Sequence, residues 1–319
     1  VSTALGNLTV NSYTPDFSKS ACDDSACESH EKGIFMTQDD DGTSYYYRGS
    51  VENNYVKFAG FYWRIIRING NGSIRMIYDG TVAHDNGESS EDREYGTSQF
   101  NQTYTDNMYV GYMYTSGNAH GLGTSSTIKT ANDNFYASKL ASYSSYLDIS
   151  SGFCGDRSTL NSQNGVGAGT ILTYYIGYFR VSANMPSLKC ENTSDYYTTS
   201  VASSGNKSLT YPVGLITADE VLLAGSSGGT FDGAYNYQKI AINAYLMIGH
   251  RFCTMTPVAY NNSFGDNYWS SSIFQMHMTG AIDDDNAHNS FGLRPVINLK
   301  NTLKFTGDGT KNNPYIPNL

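Results

Sequence analysis

Residues 63–78 read Trp63-Arg64-Ile65-Ile66-Arg67-Ile68, then Asn69-Gly70-Asn71-Gly72, then Ser73-Ile74-Arg75-Met76-Ile77-Tyr78. Two runs dense in branched and aromatic side chains, parted by residues that tolerate positive φ, predict a β-hairpin. Further strand runs cover 33–37, 43–48 and 55–68, with breaks at Asp39-Asp40-Asp41-Gly42 and Asn53-Asn54. Such breaks carry the residues that turns favour, so residues 33–78 are predicted to be a meander of antiparallel strands.

Helical signals are fewer. Ile128, Ala131, Phe135, Leu140, Tyr143 and Leu147 fall near helical spacing and predict one amphipathic helix over 128–147. Thr217-Ala218-Asp219-Glu220 is a capping box ahead of Val221-Leu222-Leu223-Ala224, and Gly225 stops that second helix. Two helices among many strands, without βαβ alternation, indicate an α+β fold. The expected organisation is an N-terminal extension or linker over 1–31, then one domain over 32–319 with loop insertions at about 80–127 and 150–209.

Composition narrows the setting. Only 15% of the 319 residues are charged, while 27 are Tyr and 32 are Gly, a balance common in secreted β-rich surface proteins. A net charge of −9 without a Lys/Arg cluster argues against nucleic acid and anionic membrane as partners, since both are bound by clustered basic residues. No apolar run approaches the ~20 residues needed to span a bilayer. The chain starts at Val1 without a signal-like segment, as an excised ectodomain would. Among five cysteines, Cys22 and Cys27 are spaced for a small disulfide loop, Cys154 and Cys190 are placed to staple a loop-rich region, and Cys253 is left as a buried thiol.

Three segments taken together carry a resemblance: Asn54-Tyr-Val-Lys-Phe-Ala-Gly-Phe-Tyr-Trp-Arg-Ile-Ile-Arg-Ile-Asn69; Gly214-Leu-Ile-Thr-Ala-Asp-Glu-Val221; and Tyr268-Trp-Ser-Ser-Ser272 followed by Gly292-Leu-Arg-Pro-Val-Ile-Asn-Leu299. In that order they resemble C-type-lectin-like surface proteins of gut Firmicutes. They are similar to the variable proteins of diversity-generating retroelements and, more remotely, to the formylglycine-generating enzymes that share their fold. The resemblance spans most of 32–299 and implies a C-type-lectin-like fold with a twisted antiparallel sheet, two helices and long loop insertions. In the variable proteins, residues between the Tyr-Trp-Ser-Ser element and the Arg-Pro-Val strand contact the ligand.

Carried to this chain, the comparison points to 260–291. Within Ile273-Phe-Gln-Met-His-Met-Thr279, strand alternation puts Phe274, Met276 and Met278 on one face, expected to be core. Gln275, His277 and Thr279 share the other face, expected to meet solvent. Residues 283–289 are expected to be a solvated loop. With Tyr260, Asn261, Asn262, Phe264 and Asp266, the residues Asp283, Asp285, Asn286, His288, Asn289 and Phe291 would complete one exposed ligand-binding patch. Tyr, Asn and His suit such a surface because they offer contact area or adaptable hydrogen bonding.

Chemistry at other positions is weaker. Cys253 and His250 are the one thiol and imidazole near each other in sequence, but three residues apart on a strand they would point to opposite faces. The formylglycine-generating enzymes hold copper on two cysteines late in the fold, whereas here the cysteine nearest Cys253 in sequence is Cys190. No enzyme activity and no cofactor are therefore expected. Calcium is kept open because Asp39-Asp40-Asp41-Gly42 and Asp283-Asp284-Asp285-Asn286 gather hard oxygen ligands, although neither has EF-hand spacing. His30, His84, His120 and His288 are expected to be solvated, Trp63 and Trp269 to be core, and Arg294 to pair with Asp219 or Glu220.

The function expected from all this is non-catalytic recognition at the bacterial cell surface, by an adhesin or receptor-like variable protein. Its partner would be a protein or glycan on a host, microbial or phage surface. A formylglycine-generating-enzyme-like oxidase and a structural pilus or surface subunit are the alternatives.

Overall fold

The computed structural model describes residues 1–22, 29–159, 172–226, 243–261 and 270–319, with Asn261 described in its backbone alone. In chain order the main strands are β1 (Gly33–Asp39), β2 (Gly42–Arg48), β3 (Tyr55–Phe58), β4 (Phe61–Ile68), β5 (Ile74–Gly80), β6 (Thr97–Gln99), β7 (Thr173–Tyr174), β8 (Phe252–Asn261), β9 (Ser270–Met276), β10 (Ile282–Asn286), β11 (Ser290–Gly292) and β12 (Val296–Leu299). The helices are α1 (Thr127–Lys139), α2 (Ile176–Ser182) and α3 (Ala218–Leu223). One six-stranded sheet runs β12-β5-β4-β2-β1 with β3 also on β4; the other runs β10-β9-β8-β11-β6 with β7 also on β8. The class is α+β. All these pairings are antiparallel except β8 with β11.

The predicted hairpin is β4–β5, with Ile68 opposite Ile74 and the loop closed by Asn69 N donating to the Ser73 carbonyl at 2.9 Å. The run 55–68 is two strands, because Ala59 (φ 55°) and Gly60 (φ 84°) turn the chain between the paired Phe58 and Phe61. Positive φ at both central residues matches the twist of a hairpin, and a non-glycine in that region is uncommon enough that sequence gave no warning. Gly70 is needed for close approach: a Cβ there would run into the Asp39 carboxylate and the backbone of Asp41 and Gly42. Gly70→Ala is expected to cost about 1–3 kcal/mol in chemical denaturation, the range for overpacking a site that cannot yield; no change would mean that the β1–β2 turn moves freely.

Trp63 is fully buried, donates Nε1–H to the Phe58 carbonyl at 3.0 Å, and meets Tyr78 and Phe135 edge-on, so it joins the first sheet to α1. Trp269 lies outside the described residues. Helix α1 begins at the Ser126 cap, whose hydroxyl accepts from Lys129 N, and it stops at Lys139 rather than 147. Residues Ala141–Tyr146, rich in Ser and Tyr, tighten into a 3₁₀ turn instead. The predicted capping box of α3 is formed in both directions: Glu220 N donates to Thr217 Oγ1, and Thr217 N donates to Glu220 Oε2. Helix α2 arises inside the stretch read as loop. It lacks a side-chain cap, and Gly177, whose absent Cβ lets the helix lie on Thr256 of β8, weakens any helical signal.

The first 22 residues, within the stretch read as an extension or linker, are docked against the body of the fold. Leu8 joins the core, Asn11 N donates to the Ile34 carbonyl, and Ala21 N donates to the Gly225 carbonyl. The Cys154–Cys190 disulfide is formed, and closing a loop of 36 residues in this way stabilises the fold by about 3–4 kcal/mol in the chain-entropy picture. Cys22 is buried and disulfide-bonded; the Cys27 expected to pair with it lies outside the described residues.

Charged side chains tie the layers together in the interior. Glu220 on α3 meets Arg67 of β4 and Arg75 of β5. Asp79 takes Arg93 and Arg294, Asp195 takes Arg157, and Arg180 bridges Asp156 and Asp219. Arg294 thus pairs with neither Asp219 nor Glu220. The strand that follows it, β12, runs antiparallel to β5 with Val296 opposite Ile77, which brings Arg294 beside Asp79 at the end of β5. Two of the histidines expected in solvent are structural: buried His84 sits between Glu88 and Asp92, and His120 bonds Asp195, while His30 is exposed as expected.

Candidate functional site

The second sheet carries the segment singled out by sequence, and it reverses part of the alternation reading. Gln275 is 1% and His277 7% exposed, whereas Met278 is 48% exposed. Strand β9 lies between β8 and β10 and is buried on both faces. The strand ends at Met276; His277 N then donates to the Ala281 carbonyl and Gly280 adopts φ 86°, so Met278 sits in the turn. Alternation cannot be extrapolated through a turn. Thr279, in the same turn, donates its backbone N–H to His277 Nδ1.

Residues 283–286 are the edge strand β10 and not a solvated loop. Asp283, Asp284 and Asp285 stand opposite Gln275, Phe274 and Ile273, and Asp283 is buried. Pairing with a formed neighbour overrides the poor strand propensity of Asp. Burial, reinforced by the charges of Asp283 and Asp285, pushes the Asp284 carboxyl up to about 7. Tyr260 is fully buried and donates its hydroxyl to the Thr105 carbonyl at 2.9 Å, so it belongs to the core. Asn262, Phe264 and Asp266 lie outside the described residues, as does the side chain of Asn261.

Of the rest of the proposed patch, Phe291 alone lines a cleft. Asn289 Nδ2 donates to Asp285 Oδ1 and Ser270 donates to Asn286 Oδ1. His288 stacks on Tyr104 with centroids 3.9 Å apart. Asp285 also holds Arg251, Nη1 to Oδ2 3.2 Å, and the guanidinium lies over the Phe291 ring at 5.9 Å. Beside Arg251 and Phe291 an open cleft of ≈ 530 Å³ is lined further by Glu91, Glu94, Thr97 and His250. That volume falls in the range typical of small ligand sites.

Glu94 is the unusual member. Ser90 caps the short 3₁₀ turn Glu91–Arg93, and buried Arg93 is locked onto Asp79, which fixes where the chain emerges. Tyr95 N then donates to the Leu293 carbonyl, and Leu293 N donates to the Gly96 carbonyl. The Glu94 side chain lies against Gly292, where any Cβ would strike its carboxylate. It is 8% exposed, Oε1 has no hydrogen-bond partner, and His250 Nδ1 stands 3.5 Å away. Burial pushes this carboxyl above its ordinary range, partly offset by His250 and Arg294. The Glu94–His250 pair thus sets a carboxylate and an imidazole together at the cleft.

Sequence reading missed Glu91, Glu94 and Thr97 altogether, and considered His250 only as a companion to Cys253. Glu94 falls in 80–127, read as an insertion, and is brought to the C-terminal segment by the β6–β11 pairing and the backbone bonds of Tyr95 and Gly96 to Leu293. No local signal marks that.

Cys253 is 3% exposed, and burial, with Asp285 and Glu94 adding to it, pushes its thiol up to about 12. As a free thiol it is a poor nucleophile at neutral pH. Among the described residues no three His, Cys, Asp or Glu side chains are grouped to hold a metal ion. Asp39 is engaged by Arg67 and by Gly70 N, and Asp40 accepts from Cys190 N, so that turn is spent on structure. Among the same residues no helix is long and apolar enough to cross a membrane. No protein-family model, curated protein or solved structure matches the chain.

Proposed function

We propose that this chain is a non-catalytic, extracellular ligand-binding protein of the bacterial surface, C-type-lectin-like and akin to the variable proteins of diversity-generating retroelements. It recognises a protein or glycan on a host, microbial or phage surface. The observation that carries the reading is the cleft lined by Glu94, His250 and Arg251, with the Phe291 ring under the Arg251 guanidinium. The Glu94–His250 pair gives the ligand's polar groups a charged partner, and an apolar face of the ligand packs on the ring. The Cys154–Cys190 bridge supports an oxidising compartment. The high thiol pKa of Cys253 weighs against oxidase chemistry at that residue.

The test is a panel of immobilised glycans and bacterial surface extracts. Any binding by the wild-type chain is expected to fall about 10- to 100-fold in Glu94→Gln, the equivalent of a charged hydrogen bond, with melting temperature unchanged. Equal binding by both proteins would remove the cleft from the reading.

A further inference from the structure

Cys253 on β8 and Gln275 on β9 are directly opposed in the antiparallel ladder, so their side chains leave the sheet on the same face. Both are buried, at 3% and 1% exposure. Cys253 is free, and neither Nε2 nor Oε1 of Gln275 has a hydrogen-bond partner. Buried side-chain amides nearly always find partners, so one making no hydrogen bond at either end, facing an unoxidised thiol, needs an explanation.

Reach supplies one. Directly opposed Cβ atoms stand ~4.5–5.5 Å apart. The cysteine sulfur extends one bond beyond its Cβ and the glutamine carbonyl carbon two beyond its own, so the sulfur and that carbon can meet without moving the strands.

We propose that Cys253 and Gln275 are joined as an internal thioester that serves as an acyl donor to primary amines. Sγ adds to Cδ of Gln275, the Cδ–Nε2 bond breaks, and the thiol proton leaves with the nitrogen as ammonia. No oxidant or reductant enters. The thioester removes the amide donor and the thiol together, and leaves one weakly accepting carbonyl in their place. Formation occurs once per chain, so it needs only a trace of thiolate and tolerates the protonated state that burial imposes. The same burial slows attack by water on the acyl carbon afterwards.

Arg251, two residues before Cys253, lines the cleft. An amine such as a lysine side chain would form an amide with the Gln275 acyl group and release the Cys253 thiol. This capture step rests on the recognition role proposed above; the bond itself does not.

Intact mass decides it. The wild-type chain is expected to weigh one ammonia less than its sequence corrected for disulfides, with no titratable thiol in denaturant. Methylamine should add one methylamine, map to Gln275 and release one thiol. Cys253→Ala and Gln275→Ala should each show full mass and no reaction. Full mass with one titratable thiol in untreated wild type would overturn the thioester. If Glu94-dependent binding persisted in that case, recognition would stand without it; an ammonia-deficient mass with binding indifferent to Glu94→Gln would uphold the thioester and remove the cleft.

Discussion

Glu220→Gln is expected to destabilise the fold by about 3–5 kcal/mol, the cost of breaking a buried ion pair from one side. The carboxylate is 2% exposed and accepts from Arg67 Nε at 2.9 Å and Arg75 Nη2 at 3.2 Å, while Oε2 also receives the Thr217 N–H that starts α3. A neutral amide would leave Arg75 buried without its countercharge; Arg67 would retain Asp39. Urea unfolding with an unchanged m-value measures the loss, and a change under about 1 kcal/mol would show that the pair is replaced by water.

The pH dependence follows from the same contacts. Burial alone would raise the Glu220 carboxyl, but Arg75, Arg67 and the Thr217 N–H outweigh it and hold it below the ordinary 4.5. A depressed carboxyl contributes stability that is complete above the unfolded value and is lost as pH falls through the folded one. Wild-type stability should therefore drop below about pH 4.5, and Glu220→Gln should drop less over that window.

Asp79→Ala is the second large effect, again about 3–5 kcal/mol. Asp79 is fully buried, and its Oδ1 accepts from Arg93 Nε at 2.9 Å and from Arg294 Nη2 at 2.8 Å. Burial already pushes the Arg294 guanidinium down to about 10, with Asp79 acting against it. Removing the aspartate leaves two buried cations facing each other. If that repulsion is the cause, Arg294→Met in the Asp79→Ala background should recover part of the loss, and a double-mutant cycle reads the coupling directly. Strictly additive losses would place the cost in packing instead.

These two centres show where sequence reading stops. The capping box at Thr217-Glu220 is four residues long and was legible because both partners lie within one turn. That Glu220 also binds Arg67 and Arg75 depends on contacts across about 150 residues, which no local pattern encodes. Arg294 was singled out correctly as a pairing residue, but its partner was misassigned because β-register, not proximity in sequence, chooses Asp79. The same limit applies to the candidate site. Phe291, which lines the cleft, lies in the C-terminal segment the sequence singled out, whereas Glu94 was hidden in an apparent insertion. Gln275 was placed on the wrong side because two-period alternation assumes one wet face, and β9 has none; His277 lies beyond the strand, in the turn.

By itself, then, the sequence determined what is set by neighbours along the chain: the β4–β5 hairpin from its Asn-Gly loop, the start of α1, the capped α3, the α+β class, and the pairing of Cys154 with Cys190 as the staple of a loop-rich stretch. The tertiary structure alone decided which charges meet, which polar side chains are dry, and that Glu94 and Arg251 share a cleft. It also set Cys253 opposite Gln275. The reason is physical: turn and cap preferences are short-range and act within a few residues, while burial and ion pairing are set only when distant strands fix their register.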